Sequence, residues 1–315
     1  MPRLSHTLDL DALKREDIAG SIDGVHRVLR EARFDSEGHL LVPDEAERER
    51  LERRAEELGV LHRGESAEAG PQDMEHSLRL LSGEHLAPGA HYLFSVLDEK
   101  GEPDFSEEVE GWMGTDLTIT SWDPEGRCAV DFAMREDPAV TGFEDSVTSG
   151  TVVHDRAAQA LSIHARMRFP APMSMVGENS SLLRVEVDVH VDLAGWYAAL
   201  SGVEGAAPVR FEVGHPFVRA VGEALPSPEP GGRWSVTGSL QVRGRGPARP
   251  LVAVAAWAML RSMRRSEEMS VERWVTEVER SWTDTARGLP ALPELLGEVA
   301  EAMSLAVSRV RRPIR

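Results

Sequence analysis

From about residue 90 to residue 245 apolar side chains fall on every second position, and outside that stretch they return at helical spacing. Period two marks a strand with one buried face, because successive side chains of an extended chain point to opposite sides. Strands are predicted at Tyr92–Val96, Val109–Met113, Leu117–Trp122, Cys128–Met134, Val147–His154, Leu161–Phe169, Leu183–Leu193, Val209–Val213 and Trp234–Arg243. Turn signals such as Asp123-Pro124-Glu125-Gly126 separate them. A helical patch and the loop Pro226-Ser227-Pro228-Glu229-Pro230-Gly231-Gly232 stand between the last two. Short strands with no helix between most of them point to an antiparallel meander rather than to alternating β-α units.

Residues 1–62 read as a helical region in which Ile18, Ile22, Val25 and Leu29 form one apolar stripe. Phe34 to Val42 reads as a small hairpin around Ser36-Glu37-Gly38. Pro43-Asp44 then opens a charged helix that ends at Gly59, a residue suited to a left-handed C-cap. Residues 63–84 read as a linker and a short helix, and 85–246 as the β core. Residues 247–315 return to helix. Leu251 to Met263 is apolar nearly all round, Val271, Trp274, Val275, Val278 and Trp282 form an amphipathic stripe, and a last helix from Pro293 aligns Leu296, Val299, Met303, Val307 and Val310. The expected class is α+β: an antiparallel meander, either a curved sheet or a partly closed barrel. It is packed on a long apolar helix and carries N- and C-terminal helical extensions.

Two strands carry candidate chemistry. In Leu161–Phe169 the odd positions are apolar and the even ones are Ser162, His164, Arg166 and Arg168. In Leu183–Leu193 four valines face one way, and Arg184, Glu186, Asp188, His190 and Asp192 face the other. Only registers that join even positions to even positions keep both apolar sets inside. One of them sets Arg168 opposite Glu186, Arg166 opposite Asp188 and His164 opposite His190. In that register His164, Asp188 and His190 are candidate acid-base groups, whereas a shift of two residues dissolves the histidine pair and leaves a solvated charged face. On the apolar side, Phe132, Met134, Ile163, Met167, Val187 and Val189 are candidate walls for an apolar ligand. Cys128 falls in the apolar phase of its strand and reads as inert core.

Charge and composition narrow the field. The chain of 315 residues has 53 acidic and 35 basic side chains, a formal net charge of -18, which repels nucleic acid and anionic membrane surfaces at long range. A nucleic-acid partner is therefore not expected. The single cysteine forbids an intramolecular disulfide and a multi-cysteine zinc site. The start of the chain shows no apolar leader, and Leu251 to Leu260 is half the length of a membrane span. A cytoplasmic protein with no transmembrane segment, no bound metal and no cofactor is expected. Seven tryptophans against two tyrosines suit an apolar cavity or a large core equally well.

Arg243-Gly244-Arg245-Gly246-Pro247-Ala248-Arg249 runs from a strand into a helix. Pro247 and Arg249 break the pattern of a dinucleotide-binding turn, yet Arg243, Arg245 and Arg249 offer an anion site near a helix start. The order of these last elements, the strand Trp234–Arg243, this turn and the apolar helix from Pro250, resembles the closing segment of the START/Bet v 1-like helix-grip superfamily. The resemblance covers the last third of the chain and implies a curved antiparallel sheet folded over a long C-terminal helix, with a lipid, polyketide or other apolar ligand between them. That superfamily places two short helices between its first two strands, and Leu97 to Val109 is too short and too acidic to supply them. The resemblance therefore leads to binding of a hydrophobic small molecule. Two alternatives stand beside it: a cyclase, dehydratase or isomerase of secondary metabolism, and a scaffold whose terminal helices contact a protein partner or a second copy.

Overall fold

The computed structural model describes residues 3–60, 76–96, 112–136, 148–168, 184–246, 249–250, 252 and 271–310. Residues 63–75 of the expected linker and short helix, the acidic segment Leu97–Val109 and, apart from Val252, the apolar helix Leu251–Met263 lie outside them. Eleven strands form one antiparallel sheet: β1 (Arg3–Asp11), β2 (His76–Ser82), β3 (His91–Val96), β4 (Trp112–Trp122), β5 (Arg127–Glu136), β6 (Thr148–Asp155), β7 (Ala160–Arg168), β8 (Arg184–Asp192), β9 (Val209–Gly214), β10 (Val218–Glu229) and β11 (Arg233–Gly244). Their order is β1-β11-β10-β9-β8-β7-β6-β5-β4-β3-β2, a meander whose first strand crosses over to pair with the last. The sheet does not close. Among the described residues the main helices are α1 (Arg15–Glu31), α2 (Glu45–Glu57), α3 (Leu193–Leu200), α4 (Val271–Gly288) and α5 (Leu292–Val310).

Three strands fall where the pattern predicts something else. Arg3–Asp11 is β1 inside the region read as helical, His76–Ser82 is β2 inside the linker and short helix, and Val218–Glu229 is β10 in place of a helical patch and loop. Proline lacks the N–H of a ladder and is confined to strand edges. β10 accommodates Pro226 and Pro228 because β9 pairs only with Arg219–Ala224, so beyond Ala224 only β11 uses the backbone of β10.

Both sheet edges are partly covered. The hairpin closed by Phe34 and Leu40 lies along β2, where Leu80 N–H donates to Gly38 O at 2.7 Å and Leu40 N–H to Leu78 O at 3.2 Å. Gly38 turns with φ +86°, and a Cβ there would stand 2.1 Å from Leu80 O. At the other edge Trp282 of α4 donates from Nε1 to Asp11 O at 2.8 Å, and Asp9 N–H donates to Glu279 at 3.2 Å. Such covers keep a free edge from pairing with another chain.

Helix α1 lies between the sheet and α5. On one side Ile18 and Ile22 face α3 and the β6–β7 turn. On the other, Gly20 and Gly24 let α5 approach: a Cβ on Gly24 would sit 2.8 Å from the Leu296 side chain. α2 opens on Asp44, whose carboxylate accepts the Glu47 N–H at 3.0 Å, and ends at Gly59 with φ +66°. It is tied to α5 by Arg50 to Glu298 at 2.7 Å and Arg54 to Glu294 at 2.6 Å.

Two dry cores form on the apolar side of the sheet. Leu10, Trp196, Trp234 and Val236 make one, with Tyr197 and Trp282 packed against it; the Trp196 and Trp234 rings meet edge to face at 5.5 Å. Ala90, Tyr92 and Ile119 make the other, packed by Phe34, Leu80, Leu117 and Trp122. The first core joins β1, β11, α3 and α4. Trp234→Ala should therefore cost about 3–5 kcal/mol, read as a lowered urea midpoint, with Trp234→Phe recovering much of the loss.

Candidate functional site

Neighbouring strands keep their side chains in phase, so the sheet has two chemically distinct faces. The apolar face carries Val218, Ala220 and Gly222 of β10, Phe211 and Val213 of β9, Val185–Val191 of β8 by alternate positions, and Ile163, Ala165 and Met167 of β7. It continues through Gly150 and Val152 to Val130, Phe132 and Met134. All six predicted wall residues, Phe132, Met134, Ile163, Met167, Val187 and Val189, lie on this face, and Ile163 stands directly opposite Val189.

Burial along this face is uneven. The two cores occupy its flanks, whereas β6, β7, β8 and β9 contain no fully buried residue. Each of the six wall residues is half-buried, and Phe211 is 38% exposed. Two phenylalanines lie over glycines of the neighbouring strand. Phe132 covers Gly150 and Phe211 covers Gly222, where a Cβ would stand 1.9 Å from the ring. The centre of the face is thus greasy, shaped by small residues, and incompletely covered.

The opposite face carries the predicted acid-base groups, in a different register from the one expected. His164 pairs with Asp188 and Ser162 with His190, two residues away from the arrangement that would join the histidines. His164 Nδ1 lies 2.7 Å from Asp188 Oδ1, Ser162 Oγ lies 3.0 Å from His190 Nδ1, and Arg166 lies 3.6 Å from Glu186. Ser162, His164, Asp188 and His190 share a groove of about 530 Å³ with Thr151, Arg210 and Glu212. Arg219 grips Glu212 through two bonds of 2.5 and 2.6 Å and holds its carboxyl below the usual range. A molecule against the apolar face cannot touch His164, Asp188 or His190, because the sheet stands between them.

Arg243, Arg245 and Arg249 are all exposed at the end of β11. Arg243 donates to Gln241 at 3.0 Å, and the Arg245 N–H to Phe217 O at 2.8 Å. The described residues contain no cluster of three or more metal-ligating side chains, and no helix long and apolar enough to cross a membrane.

A group that the sequence reading passed over lies where α1 meets the sheet. The inward stripe of α1 is Ile18, Ile22, His26 and Leu29; Val25, assigned to that stripe from spacing, is 45% exposed. His26 is 7% exposed, with its ring edge-on to Trp122 at 5.5 Å and 5.6 Å from that of His154, and its Nδ1 has no partner among the described residues. Burial holds both imidazoles below the ordinary value of 6.5, and each would oppose the other's charge. The signal was present: a histidine in the apolar phase of a helix and another in the apolar phase of β6. One turn further, His85 donates from Nε2 to Leu29 O at 2.8 Å and accepts at Nδ1 from Tyr92 Oη at 2.8 Å. Tyr92 in turn accepts the Leu86 N–H, and burial lowers the His85 pKa also.

Compared with known proteins, the chain matches no family model and no curated protein.

The histidine seam sets a pH dependence. A base whose pKa is lowered by folding binds fewer protons folded than unfolded, so its contribution is complete above the unfolded value near 6.5 and is lost as pH falls. Around the pair, Asp23 and Asp155 favour the charged form, while Arg30 and Arg156 oppose it. Urea unfolding at stepped pH should show stability falling below pH 6.5. The double variant His26→Phe, His154→Gln should flatten that fall, leaving the part due to His85.

Proposed function

We propose that the protein binds a hydrophobic small molecule, lipid- or polyketide-like in chemistry, against the centre of the sheet's apolar face. One observation carries this reading. Four adjacent strands, β6 to β9, present an apolar surface in which no residue is fully buried, between two cores built on buried residues. Ligand sites are concave and mostly apolar, and an apolar surface left half-covered gains about 25 cal/mol for each Å² that a ligand removes from water.

The helix-grip resemblance supports the same reading. The two helices sought in vain between Leu97 and Val109 have counterparts elsewhere, because the first two strands are β1 and β2, and α1 and α2 lie between them. Placement of the acid-base candidates on the far side of the sheet favours binding over processing of this ligand by His164, Asp188 or His190.

N-phenylnaphthylamine, a neutral apolar probe that fluoresces when desolvated, tests the site. Wild type should enhance its emission saturably, and an added lipid extract should displace it, with the bound lipid identified by native mass spectrometry. Ala165→Trp, which fills the face between Val187 and Gly150, should weaken probe binding by about tenfold or more. Arg166→Ala, on the other face, should leave it unchanged. Full probe binding by folded Ala165→Trp, or none by wild type, would reject the site.

A further inference from the structure

A second cavity lies away from that surface, at the end of the sheet, between α1, α3 and the turn joining β6 to β7. Its volume is about 130 Å³, close to the roughly 150 Å³ of an apolar cavity that accepts benzene. Ile18, Ala19 and Ile22 of α1 and Leu193 at the start of α3 supply its apolar lining. The polar groups at its rim are unevenly matched. Arg156 is neutralised by Asp23, with Glu125 at 3.6 Å beyond it. Arg15 has no carboxylate partner among the described residues: its guanidinium is hydrogen-bonded to the neutral amide of Gln159 and lies 5.9 Å from the centre of the Tyr197 ring.

Both supports of Arg15 are fixed. Tyr197 donates from Oη to Leu13 O at 2.9 Å, which anchors the ring beneath the cation. Gln159 is held at φ +51°, in the left-handed region that a residue with a Cβ adopts at a cost. Its carbonyl accepts the Leu193 N–H at 2.9 Å, so the turn that presents the amide to Arg15 is tied to α3. In a chain with 18 more acidic than basic side chains, Arg15 places a positioned guanidinium at the mouth of an apolar cavity whose one lining carboxylate, Asp23, is engaged by Arg156. A guanidinium matches a carboxylate in geometry and charge.

We infer that this cavity binds a small carboxylate with a ring-sized apolar body, the ring lying among Ile18, Ile22 and Leu193 and the carboxylate meeting Arg15. The site is separate from the one proposed on the sheet's centre, so each can fail without the other.

Benzoate is the probe and benzyl alcohol its neutral counterpart, titrated into the full chain by calorimetry and by methyl NMR of the isoleucines. Benzoate should bind saturably and shift the Ile18 and Ile22 methyl signals, more tightly than benzyl alcohol does. Arg15→Gln should weaken benzoate roughly tenfold or more while leaving benzyl alcohol unchanged. Ala19→Leu, which narrows the cavity from an exposed helix position, should weaken both ligands. Absence of saturable benzoate binding at millimolar concentration would overturn the inference. So would equal affinity for the two ligands in wild type, or benzoate affinity unaffected by Arg15→Gln.

Discussion

Helix α1 has to reach from one side of the sheet to the other, and the rest of the molecule is arranged around that span. It follows β1, whose last residues pack on Trp234, and it ends beside β3, where Leu29 O accepts a hydrogen bond from His85. Nine inter-strand steps separate β1 from β3, about 43 Å along the sheet at ~4.8 Å each. Seventeen residues of helix rise only about 25 Å. The sheet must therefore bend around α1, and that bend separates a helix-covered end from a valine-rich centre. α5 reinforces the strap from outside through the approach allowed by Gly20 and Gly24.

A curved two-faced sheet also divides chemistry by side. The ladder of Glu212, Asp188, His164 and Thr151 runs along one row, and Val213, Val187, Ala165 and Gly150 along the next, on the reverse. Ionic partners on the first row lie in water and fix alignment at little net energy. On the second row, burial decides. Residues that are one position apart in sequence thus belong to different environments. The two functional readings of the sequence, apolar binding and acid-base catalysis, consequently occupy opposite surfaces.

Much of this was legible from alternation. Val185, Val187, Val189 and Val191 set against Glu186, Asp188 and His190 fix β8 and its orientation without further help, and β5 and β7 read almost as clearly. The histidine register was not legible, because a slip of two residues keeps every apolar side chain inside; the difference lies in the connections and in the outer neighbours β6 and β9. β10 was hidden by Pro226 and Pro228, which are tolerated only because β9 stops short. β1 was hidden because Leu4 and Leu8 are four apart, a spacing that fits a helix as well as a strand. Val25 and His26 exchanged roles for a related reason: hydrophobicity alone cannot show which side of α1 meets α5 and which meets the sheet.

Pairing of β1 with β11 joins Arg3 to Gln241 and Asp11 to Arg233. During synthesis the first strand emerges from the ribosome more than two hundred residues before its partner. Until the partner arrives, its alternate leucines stay exposed and α1 has only part of its platform. Long-range pairings of this kind are slow to form and leave strand edges open to other chains. The seam between the first strand and the last can therefore close only after residue 233 has emerged, and a nascent chain stalled before it lacks the strand needed to complete the sheet.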